Sequence, residues 1–406
     1  MVNDIRPIRA TSGTNQEGAS AHNRRVMIDA LRLNGALSRA DLARATQLTK
    51  QAVSNIIDEL ERDGFVVPLE AVRKGRGQPS TPYRLVPEGA FAIGLQIDRH
   101  LTRAVAVDLV GTVLVRSEAN LPPDDPAGGV RVILGLIEGI RTELSRISAQ
   151  SEKRLVGLGV AMPGPFGLAE FGDNKWMMPA WQKFPLLGTL AAGTGLEVGL
   201  QNDAAACATA ERMVGAAHGV DHAVCLYVGY GIGAGLILNG ELYRGGNGNA
   251  GEIGMALLSP RGADGTVLEH RASLASLYQH LDLDPSDAGI YEHVDTLAMA
   301  GDPELLGWVD AAAQDLRWSV QLIETLFDPQ TVILTSGAPE ALARLILQAM
   351  HPLLQSIAAR PDRILPRLQL GITDPWSIAL GAASEPISRA FDPRFSAILK
   401  NRVGAG

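Results

Sequence analysis

Residues 37–66 read LSRADLARATQLTKQAVSNIIDELERDGFV, a stretch that predicts two helices joined by a short turn. Ser38 with Asp41 three residues later resembles a capping box, so a short helix is expected to begin there. Thr49 can cap the next helix, whose apolar residues recur at helical spacing: Val53, Ile56, Ile57 and Leu60. Because only residues 46–48 separate the two helices, they must cross sharply, which is typical of a helix-turn-helix.

The outer face of the second helix, predicted over residues 49–63, carries polar side chains suited to DNA. Gln and Asn can pair bidentately with adenine, and Lys and Ser suit phosphates or base edges. A small helical bundle with a solvated polar face is the alternative, but the spacing, caps and turn together favour DNA binding. The predicted DNA contacts on this helix are Thr49, Lys50, Gln51, Ser54 and Asn55.

The flanking sequence predicts the rest of a winged helix-turn-helix. A helix over residues 22–34 precedes the motif, and strands at 65–68 and 83–86 enclose the basic loop RKGRGQPSTP (73–82). Such a hairpin forms a wing that contacts the DNA backbone or minor groove; a flexible interdomain linker is the other interpretation. The predicted wing contacts are Arg73, Lys74, Arg76, Gly77 and Gln78.

Composition and charge agree with a DNA-binding unit on a larger globular body. A chain of 406 residues exceeds one hydrophobic core, and 46% hydrophobic with 20% charged residues excludes global disorder. Residues 1–90 hold 13 Lys or Arg against 10 Asp or Glu, whereas the remaining 316 hold 23 against 34. We expect a flexible tail over residues 1–20, a winged helix over 21–88 and a second domain over 91–406.

Cysteine content and hydropathy bound the compartment. The two cysteines, Cys207 and Cys225, cannot build a disulfide framework. Residues 1–20 lack the apolar run of a secretory signal, and the longest apolar stretch, 223–238, is shorter than a membrane span. These features predict a cytoplasmic protein with no membrane contact.

From residue 91 onward the pattern is that of an α/β domain. The segments FAIGLQI, TRAVAVDL and TVLVRS predict a β-meander, followed by a helix near residues 129–147 and the buried strand RLVGLGVAM. HAVCLYVGYGIGAGLIL (222–238) predicts two strands around a glycine-rich turn. Backbone N–H groups in such a turn can approach a phosphate closely, but a tight hairpin explains the glycines equally well.

Six motifs in this domain, in this order, resemble the ROK family of sugar kinases and sugar-responsive repressors. They are GVAMPGPFG (159–167), QNDAAACATAE (201–211), VGYGIGAGLILNGELYRGGNGNAGEIG (228–254), VLEHRASLASL (267–277), LFDPQTVILTSG (326–337) and SIALGAASEP (377–386). The resemblance covers essentially the whole chain, because regulators of that family also carry an N-terminal winged helix. It implies a two-lobed, actin-like (ribonuclease H-like) α/β fold with a sugar cleft between the lobes.

The resemblance also implies which residues bind sugar. Asn202 and Asp203 match the pair that holds sugar hydroxyls, where the Asp is the kinases' catalytic base, and Glu252 and Glu269 match two further family glutamates. Carboxylates and a side-chain amide can accept paired O–H donors from a polyol. The alternative is that Asp203 merely caps the helix predicted at 204–212 and that both glutamates are surface residues.

Departures from the family pattern argue against kinase activity. The kinases begin this domain with an Asp-x-Gly-Gly-Thr phosphate loop, where this chain has Gln96, Asp98 and Arg99 at the acidic position and the two glycine positions. Side chains at the glycine positions block the approach of phosphate, and Asp98 repels it. Without that cradle, phosphoryl transfer loses its positioning and charge stabilisation. We therefore expect no catalytic residue, with kinase activity absent or vestigial.

The family's zinc site is also missing from the sequence. Met255 stands where the family has a His, and the loop SPRGADGTV (259–267) contains no cysteine, so neither a metal nor a cofactor is expected. Because the family His also touches sugar, Met255 bears on the choice of ligand. Trp176 and Trp181, near the expected cleft, suit either stacking on a sugar or packing in the core.

Together these patterns predict a sugar-responsive transcription factor, a repressor of carbohydrate-metabolism genes. It would bind double-stranded operator DNA as a homodimer or homotetramer, with a sugar or sugar phosphate as effector. An active ROK sugar kinase with an appended DNA-binding head is one alternative. A regulator controlled by a protein partner, with a cleft that no longer binds sugar, is the other.

Overall fold

The computed structural model describes residues 16–73, 79–99, 101–122, 124–167, 178–258 and 266–391. The N-terminal unit, called the head below, is a three-helix bundle with a small sheet, in which the strand order β1-β3-β2 is antiparallel throughout. Its elements are α1 (Gln16–Asn34), β1 (Leu37–Ser38), α2 (Arg39–Thr46), α3 (Lys50–Arg62), β2 (Val66–Pro68) and β3 (Pro82–Leu85).

Local capping bonds fix the helix-turn-helix as the sequence predicts. Ser38 and Asp41 form a complete capping box at the start of α2, and the Thr49 side chain accepts a hydrogen bond from the backbone N–H of Ala52 at 3.2 Å. Gln47 ends α2 in the left-handed conformation, which turns the chain into α3 within three residues. The four predicted core residues of α3 are all buried, which confirms the face assigned to them.

The wing hairpin is confirmed on its described part. Val66 pairs with Leu85 between β2 and β3, and an isolated bridge joins Val72 to Ser80 beyond the strands. Arg73 is exposed at the edge of this hairpin. The other predicted wing contacts, Lys74, Arg76, Gly77 and Gln78, lie outside the described residues.

Helix α1 begins earlier than the sequence pattern indicates. The predicted tail over residues 1–20 is wrong for its last residues, because the helix starts at Gln16 instead of residue 22. Residues 16–21 read QEGASA and contain no large apolar side chain, so hydrophobic periodicity carries no signal there. Residues 1–15 lie outside the described part of the chain.

The first lobe of the larger domain, called the body below, is a five-stranded sheet with helices on one flank. The strand order is β6-β5-β4-β7-β8, with β4, β5 and β6 antiparallel neighbours and β7 and β8 parallel to β4. Its elements are β4 (Phe91–Ile97), β5 (Leu101–Asp108), β6 (Val113–Asn120), α4 (Pro126–Ile147), α5 (Ser151–Arg154), β7 (Leu155–Ala161), α6 (Pro179–Lys183), α7 (Leu186–Thr194) and β8 (Val198–Gln201).

The second lobe repeats that topology. Its sheet has the order β11-β10-β9-β12-β13, again with an antiparallel meander on one side and two parallel strands on the other. Its elements are α8 (Asp203–Val214), β9 (Ala223–Val228), β10 (Ile232–Leu238), β11 (Glu241–Tyr243), α9 (Glu269–Ala272), α10 (Leu274–His280), α11 (Ile290–Ala300), α12 (Pro303–Phe327), β12 (Thr331–Ser336), α13 (Glu340–Ala349), β13 (Leu368–Leu370) and α14 (Ser377–Phe391).

Two small-residue helices join the lobes. Helix α14 packs on β4 and β7 of the first sheet, α8 packs on β9 and β10 of the second, and the two helices contact each other. A Cβ at Gly381 would lie 1.8 Å from the carbonyl oxygen of Ala206, so only glycine permits this approach. The repeated sheets with two central helices confirm the predicted two-lobed fold.

The head is docked on the body through a packed junction. Arg154 donates hydrogen bonds to the carbonyl oxygens of Gly64 (3.3 Å), Gly89 (3.1 Å) and Asp63 (3.2 Å). Phe65 of the head contacts the ring of Phe391, with centroids 5.4 Å apart. Apolar residues of α1 and of α14 belong to one buried cluster. The described residues at this junction therefore form a packed contact between head and body, not a flexible linker.

No helix in the described part of the chain has the length and apolarity needed to cross a membrane.

Candidate functional site

All four residues predicted to bind sugar line one cavity of about 60 Å³ between the lobes. Asn202 and Asp203 lie at the start of α8, Glu252 follows the glycine-rich loop after β11, and Glu269 begins α9. Glu252 and Glu269 are partly buried, so the interpretation that they are ordinary surface residues is wrong. Their juxtaposition gives the cavity three carboxylates and one amide. The sugar-binding role of the four residues remains a prediction.

Asn202 is held in a fixed orientation by two bonds. Its Oδ1 accepts a hydrogen bond from the backbone N–H of Ala205 at 2.7 Å, and its Nδ2 donates to Oε1 of Glu252 at 3.0 Å. Asn202 is therefore the cap of α8, and the interpretation that Asp203 serves as the cap is wrong. With Asn202 in that role, Asp203 is left to face the cavity.

Asp203 carries a buried acceptor that is unused among the described residues. Its Oδ1 is buried and has no hydrogen-bond partner there. Burial raises the pKa of Asp203 well above its ordinary value, the carboxylates of Asp98 and Glu252 raise it further, and the guanidinium of Arg99 opposes them. A buried carboxyl group in this state is a costly arrangement unless a ligand supplies the missing partner.

Glu252 and Glu269 are positioned by neighbouring backbone and side chains. The backbone N–H of Ile232 donates to Oε2 of Glu269 at 2.9 Å. A Cβ at Gly231 would lie 2.4 Å from that same oxygen, so only glycine at this position of the turn leaves room for the Glu269 carboxylate. Burial raises the pKa of Glu269 and of Glu252; the bond from Asn202 opposes the shift of Glu252.

Arg99 also lines this cavity, although sequence reasoning did not assign it to the ligand site. It forms an ion pair with Asp98 at 3.0 Å, and its guanidinium lies 4.2 Å from the ring centroid of Tyr230. Its position just past the carboxyl end of β4 is a signal that sequence reasoning had available, because ligands of α/β proteins gather at such ends. Arg99 therefore adds a cation to an otherwise acidic cleft.

The remaining predictions near the cleft have mixed outcomes. Met255, the residue at the family's His position, lines the cavity and is 44% exposed. Trp181 is 1% exposed and belongs to the core of the first lobe, which decides between its two interpretations. Trp176 and most of the cysteine-free loop, residues 259–265, lie outside the described part of the chain.

The predicted DNA-reading face is exposed on α3. Thr49, Lys50, Gln51 and Asn55 are exposed, and Ser54 is partly buried. The Gln51 amide donates to Oδ1 of Asn55 at 2.9 Å, so the two side chains predicted to read bases are aligned along one edge of the helix.

Arg39 is a structural residue of this face that sequence reasoning missed. Its guanidinium bonds Asp58 on α3 at 2.6 Å and the hydroxyl of Tyr83 on β3 at 3.0 Å. The same guanidinium lies 5.3 Å from the Tyr83 ring centroid. Arg39 thus ties α3 to β3, the second strand of the wing hairpin.

Comparison with known proteins agrees with the division of the chain into head and body. The profile of the ROK family matches residues 92–382, and that of the MarR family matches residues 27–77. The chain is 26% identical over 331 residues to the xylose repressor of Bacillus subtilis, covering 79% of this chain and 83% of that protein. It is 25% identical over 271 residues to a glucokinase of Halalkalibacterium halodurans, covering 58% of this chain and 81% of that protein.

A solved structure shares the fold over nearly the full length. The crystal structure of a ROK family transcriptional regulator, described as a homolog of the E. coli MLC protein, superposes with a TM-score of 0.65 at 21% identity. The superposition covers 93% of this chain and 98% of the other. Since the ROK profile matches most of the sequence and both lobes have the corresponding fold, the chain belongs to the ROK family.

Proposed function

We propose that this protein is a DNA-binding transcriptional repressor of carbohydrate-metabolism genes, whose operator affinity is set by a sugar or sugar phosphate bound between the lobes. The observation that carries the proposal is the course of α8. This helix begins at the cleft, where Asn202 caps it and Asp203 is its first residue, and its last turn carries Met213, which is buried against the head. A ligand at one end of α8 therefore acts on a rigid element that contacts the DNA-binding unit at the other end.

The head has what operator recognition requires. Helix α3 presents Gln51 and Asn55 for base edges and Lys50 for phosphate, and Arg39 holds strand β3 of the wing hairpin beside it. A helix of this kind reads the major groove with its N-terminal half, while the wing contacts the backbone or minor groove. The MarR family match over residues 27–77 supports this use of the head.

The cleft has what polyol recognition requires. Three carboxylates and an amide can each accept hydrogen bonds from hydroxyl groups. A buried acceptor without a partner, such as Oδ1 of Asp203, gains most from a ligand hydroxyl. The similarity to a xylose repressor supports a sugar as effector. Sugar phosphates stay among the candidates, because Arg99 at the edge of the same cavity can exchange its bond to Asp98 for one to a phosphate.

The junction offers a direct route for coupling. Arg32 on α1 donates to Sδ of Met213 at 3.9 Å, and Leu380 and Ile387 of α14 lie in the same buried cluster as Met27. Since α14 packs on both α8 and α1, a change in lobe closure that moves these helices must move or strain the head. The change in head position then alters affinity for two half-sites.

We further propose that the protein is not an enzyme. In the kinases of the family a glycine pair admits phosphate, whereas here Asp98 and Arg99 form an ion pair at that position and Arg99 stacks on Tyr230. A nucleotide phosphate would have to break both contacts and meet the Asp98 carboxylate. The similarity to a glucokinase keeps an active kinase as the alternative to be tested.

Assembly and compartment follow from the same proposal. Two heads on one operator require a symmetric oligomer, so we propose a homodimer or homotetramer. A repressor must share a compartment with the DNA it binds, which is the cytoplasm in a bacterial cell.

The test starts from DNA selection with the full-length protein. A random duplex library is selected for binding, and the affinity of the enriched duplex is measured by fluorescence anisotropy with and without glucose, xylose, galactose, N-acetylglucosamine and their phosphates. We expect a defined sequence to be enriched and one sugar to change its affinity by about 5- to 150-fold. The Asn55→Ala variant should bind that sequence more weakly and relax the preference at one base position.

Three results would contradict the proposal. Failure to enrich any sequence would remove the DNA-binding function. Production of ADP from Mg-ATP with one of the sugars, abolished by Asp203→Asn, would establish the kinase. Operator release by a protein fraction, with no response to any sugar, would assign control to a protein partner.

A further inference from the structure

A second, larger cavity of about 150 Å³ adjoins the cleft. It shares Arg99 and Tyr227 with the first cavity, so the two spaces meet at these side chains. Its walls come from the end of β4, from the glycine-rich turn and from α10 and α11. Four tyrosines line it, namely Tyr227, Tyr230, Tyr278 and Tyr291.

The tyrosines give this cavity both flat apolar faces and neutral hydroxyl groups. The rings of Tyr230 and Tyr278 lie with centroids 6.3 Å apart and planes inclined by 55°. Burial raises the pKa of Tyr278 to about 12, so its phenol keeps its proton. Leu274, Ile290 and Pro375 add apolar surface between the rings. A ligand with an apolar face and polar edges matches such walls.

Gln96 supplies an unused polar group on the same wall. Its side chain is 5% exposed, and its Oε1 has no hydrogen-bond partner among the described residues. Buried side-chain acceptors in folded proteins nearly always have a partner. A hydroxyl group of a ligand in this cavity would supply one.

The charges in this cavity are already compensated. Arg99 pairs with Asp98 at 3.0 Å, and Arg103 bonds Glu118 at 3.1 Å and the carbonyl oxygen of Pro375 at 3.5 Å. Neither guanidinium therefore presents an unbalanced charge that would select a polyanion such as a nucleoside triphosphate. The surroundings fit a neutral, polyhydroxylated group instead.

We propose that this tyrosine-lined cavity is a second saccharide subsite, so that the effector is a disaccharide or glycoside spanning both cavities with Arg99 at the linkage. The inference rests on the proposed function, in which Asn202, Asp203, Glu252 and Glu269 hold the first sugar. One sugar ring stacks on the tyrosines and donates a hydroxyl to Oε1 of Gln96. The guanidinium N–H groups of Arg99 face the oxygen that joins the two units.

The experiment is isothermal titration of the full-length protein with matched pairs of mono- and disaccharides. The probes are glucose with maltose and cellobiose, xylose with xylobiose, and galactose with lactose and melibiose. We expect one disaccharide to bind at least tenfold more tightly than its component sugar. Mg-ATP is titrated separately and in competition with that disaccharide.

Two variants remove the second subsite and leave the first intact. Tyr291→Ala removes a partly exposed ring, and its affinity for the disaccharide should fall about tenfold. Gln96→Leu removes the unused acceptor without leaving a cavity, and the affinity should fall about two- to tenfold. Both should bind the monosaccharide as the wild type does. Tyr243→Ala, at a 52% exposed tyrosine outside this cavity, is the matched control and should change neither affinity.

The outcomes separate this inference from the proposed function. A monosaccharide that binds as tightly as its disaccharides, with both variants unchanged, would overturn the second subsite and leave the sugar-responsive repressor standing. Mg-ATP displacing the disaccharide would assign the cavity to a nucleotide and overturn the inference. Binding of none of these sugars would overturn the sugar effector itself, and the second subsite with it.

Discussion

Replacing Asp203 with Asn should stabilise the protein at neutral pH. The folded protein holds Oδ1 of Asp203 buried and without a partner among the described residues, and burial with the nearby Asp98 raises its pKa well above 3.8. In the unfolded chain, water solvates the same carboxylate freely. Folding at pH 7 therefore requires either protonation of Asp203 or burial of its charge, and both cost free energy that a neutral Asn of the same size avoids.

The stability gained by Asp203→Asn should depend on pH. A carboxyl group whose pKa is raised on folding binds more protons in the folded state, so its contribution to stability is full below pH 3.8 and is lost as pH rises through the folded value. The gain from Asp203→Asn should thus be largest at pH 7 and should shrink toward pH 4. The expected gain at pH 7 is about 1–3 kcal/mol, because a charged group loses more on burial than the neutral amide that replaces it, although both leave Oδ1 without a partner.

Urea denaturation followed by tryptophan fluorescence at pH 7 and pH 4.5 measures both effects. Asp108→Asn is the matched control, because buried Asp108 accepts hydrogen bonds from the backbone N–H groups of Val110 at 3.0 Å and Thr112 at 2.8 Å. Its replacement should lower stability, since it weakens two charge-assisted bonds. An Asp203→Asn protein that is no more stable than the wild type at pH 7, or whose gain is the same at both pH values, would refute the reasoning.

Three further predictions test the head, the junction and the cleft. Asn55→Ala should cost about 1–3 kcal/mol of operator affinity and relax one base position, whereas Lys50→Ala should weaken binding to all duplexes alike, as salt titrations of selected and scrambled DNA would distinguish. Arg154→Ala should leave sugar affinity unchanged but reduce the effect of sugar on operator affinity, because the head loses its bonds to the body; an unaltered effect would exclude this junction from coupling. Gly231→Ala should lower sugar affinity about tenfold, as a Cβ there would lie 2.4 Å from Oε2 of Glu269, and calorimetry showing wild-type affinity would argue against Glu269 as a ligand.

The helix-turn-helix could be predicted from the sequence because its determinants are local. The capping box joins Ser38 to Asp41 across one helical turn, and the buried face of α3 repeats every three or four residues. Such contacts depend on neighbours in the chain and leave a visible pattern. The start of α1 was misplaced because residues 16–21, QEGASA, have no apolar pattern from which a helix could be predicted.

The residues predicted to bind sugar could be assigned only through family motifs. Asn202, Glu252 and Glu269 are far apart in the chain, and no periodicity links them. The structure brings them to one cavity and settles that Asn202, rather than Asp203, caps α8. Which side chain makes the cap depends on the path of the chain into the helix, because that path decides whose oxygen reaches the orphan N–H groups.

By itself, the sequence determined a winged helix-turn-helix followed by a two-lobed α/β body of the ROK type, together with the loss of the kinase phosphate loop at Gln96, Asp98 and Arg99. Only the tertiary structure decided where Arg99 lies, that a tyrosine-lined cavity adjoins the cleft, and that Met213 in the last turn of α8 packs against the head. The physical reason is the range of the contacts. Capping and amphipathic packing depend on residues that are close in the chain. Cavities and junctions are formed by side chains that meet only after the sheets and central helices have packed.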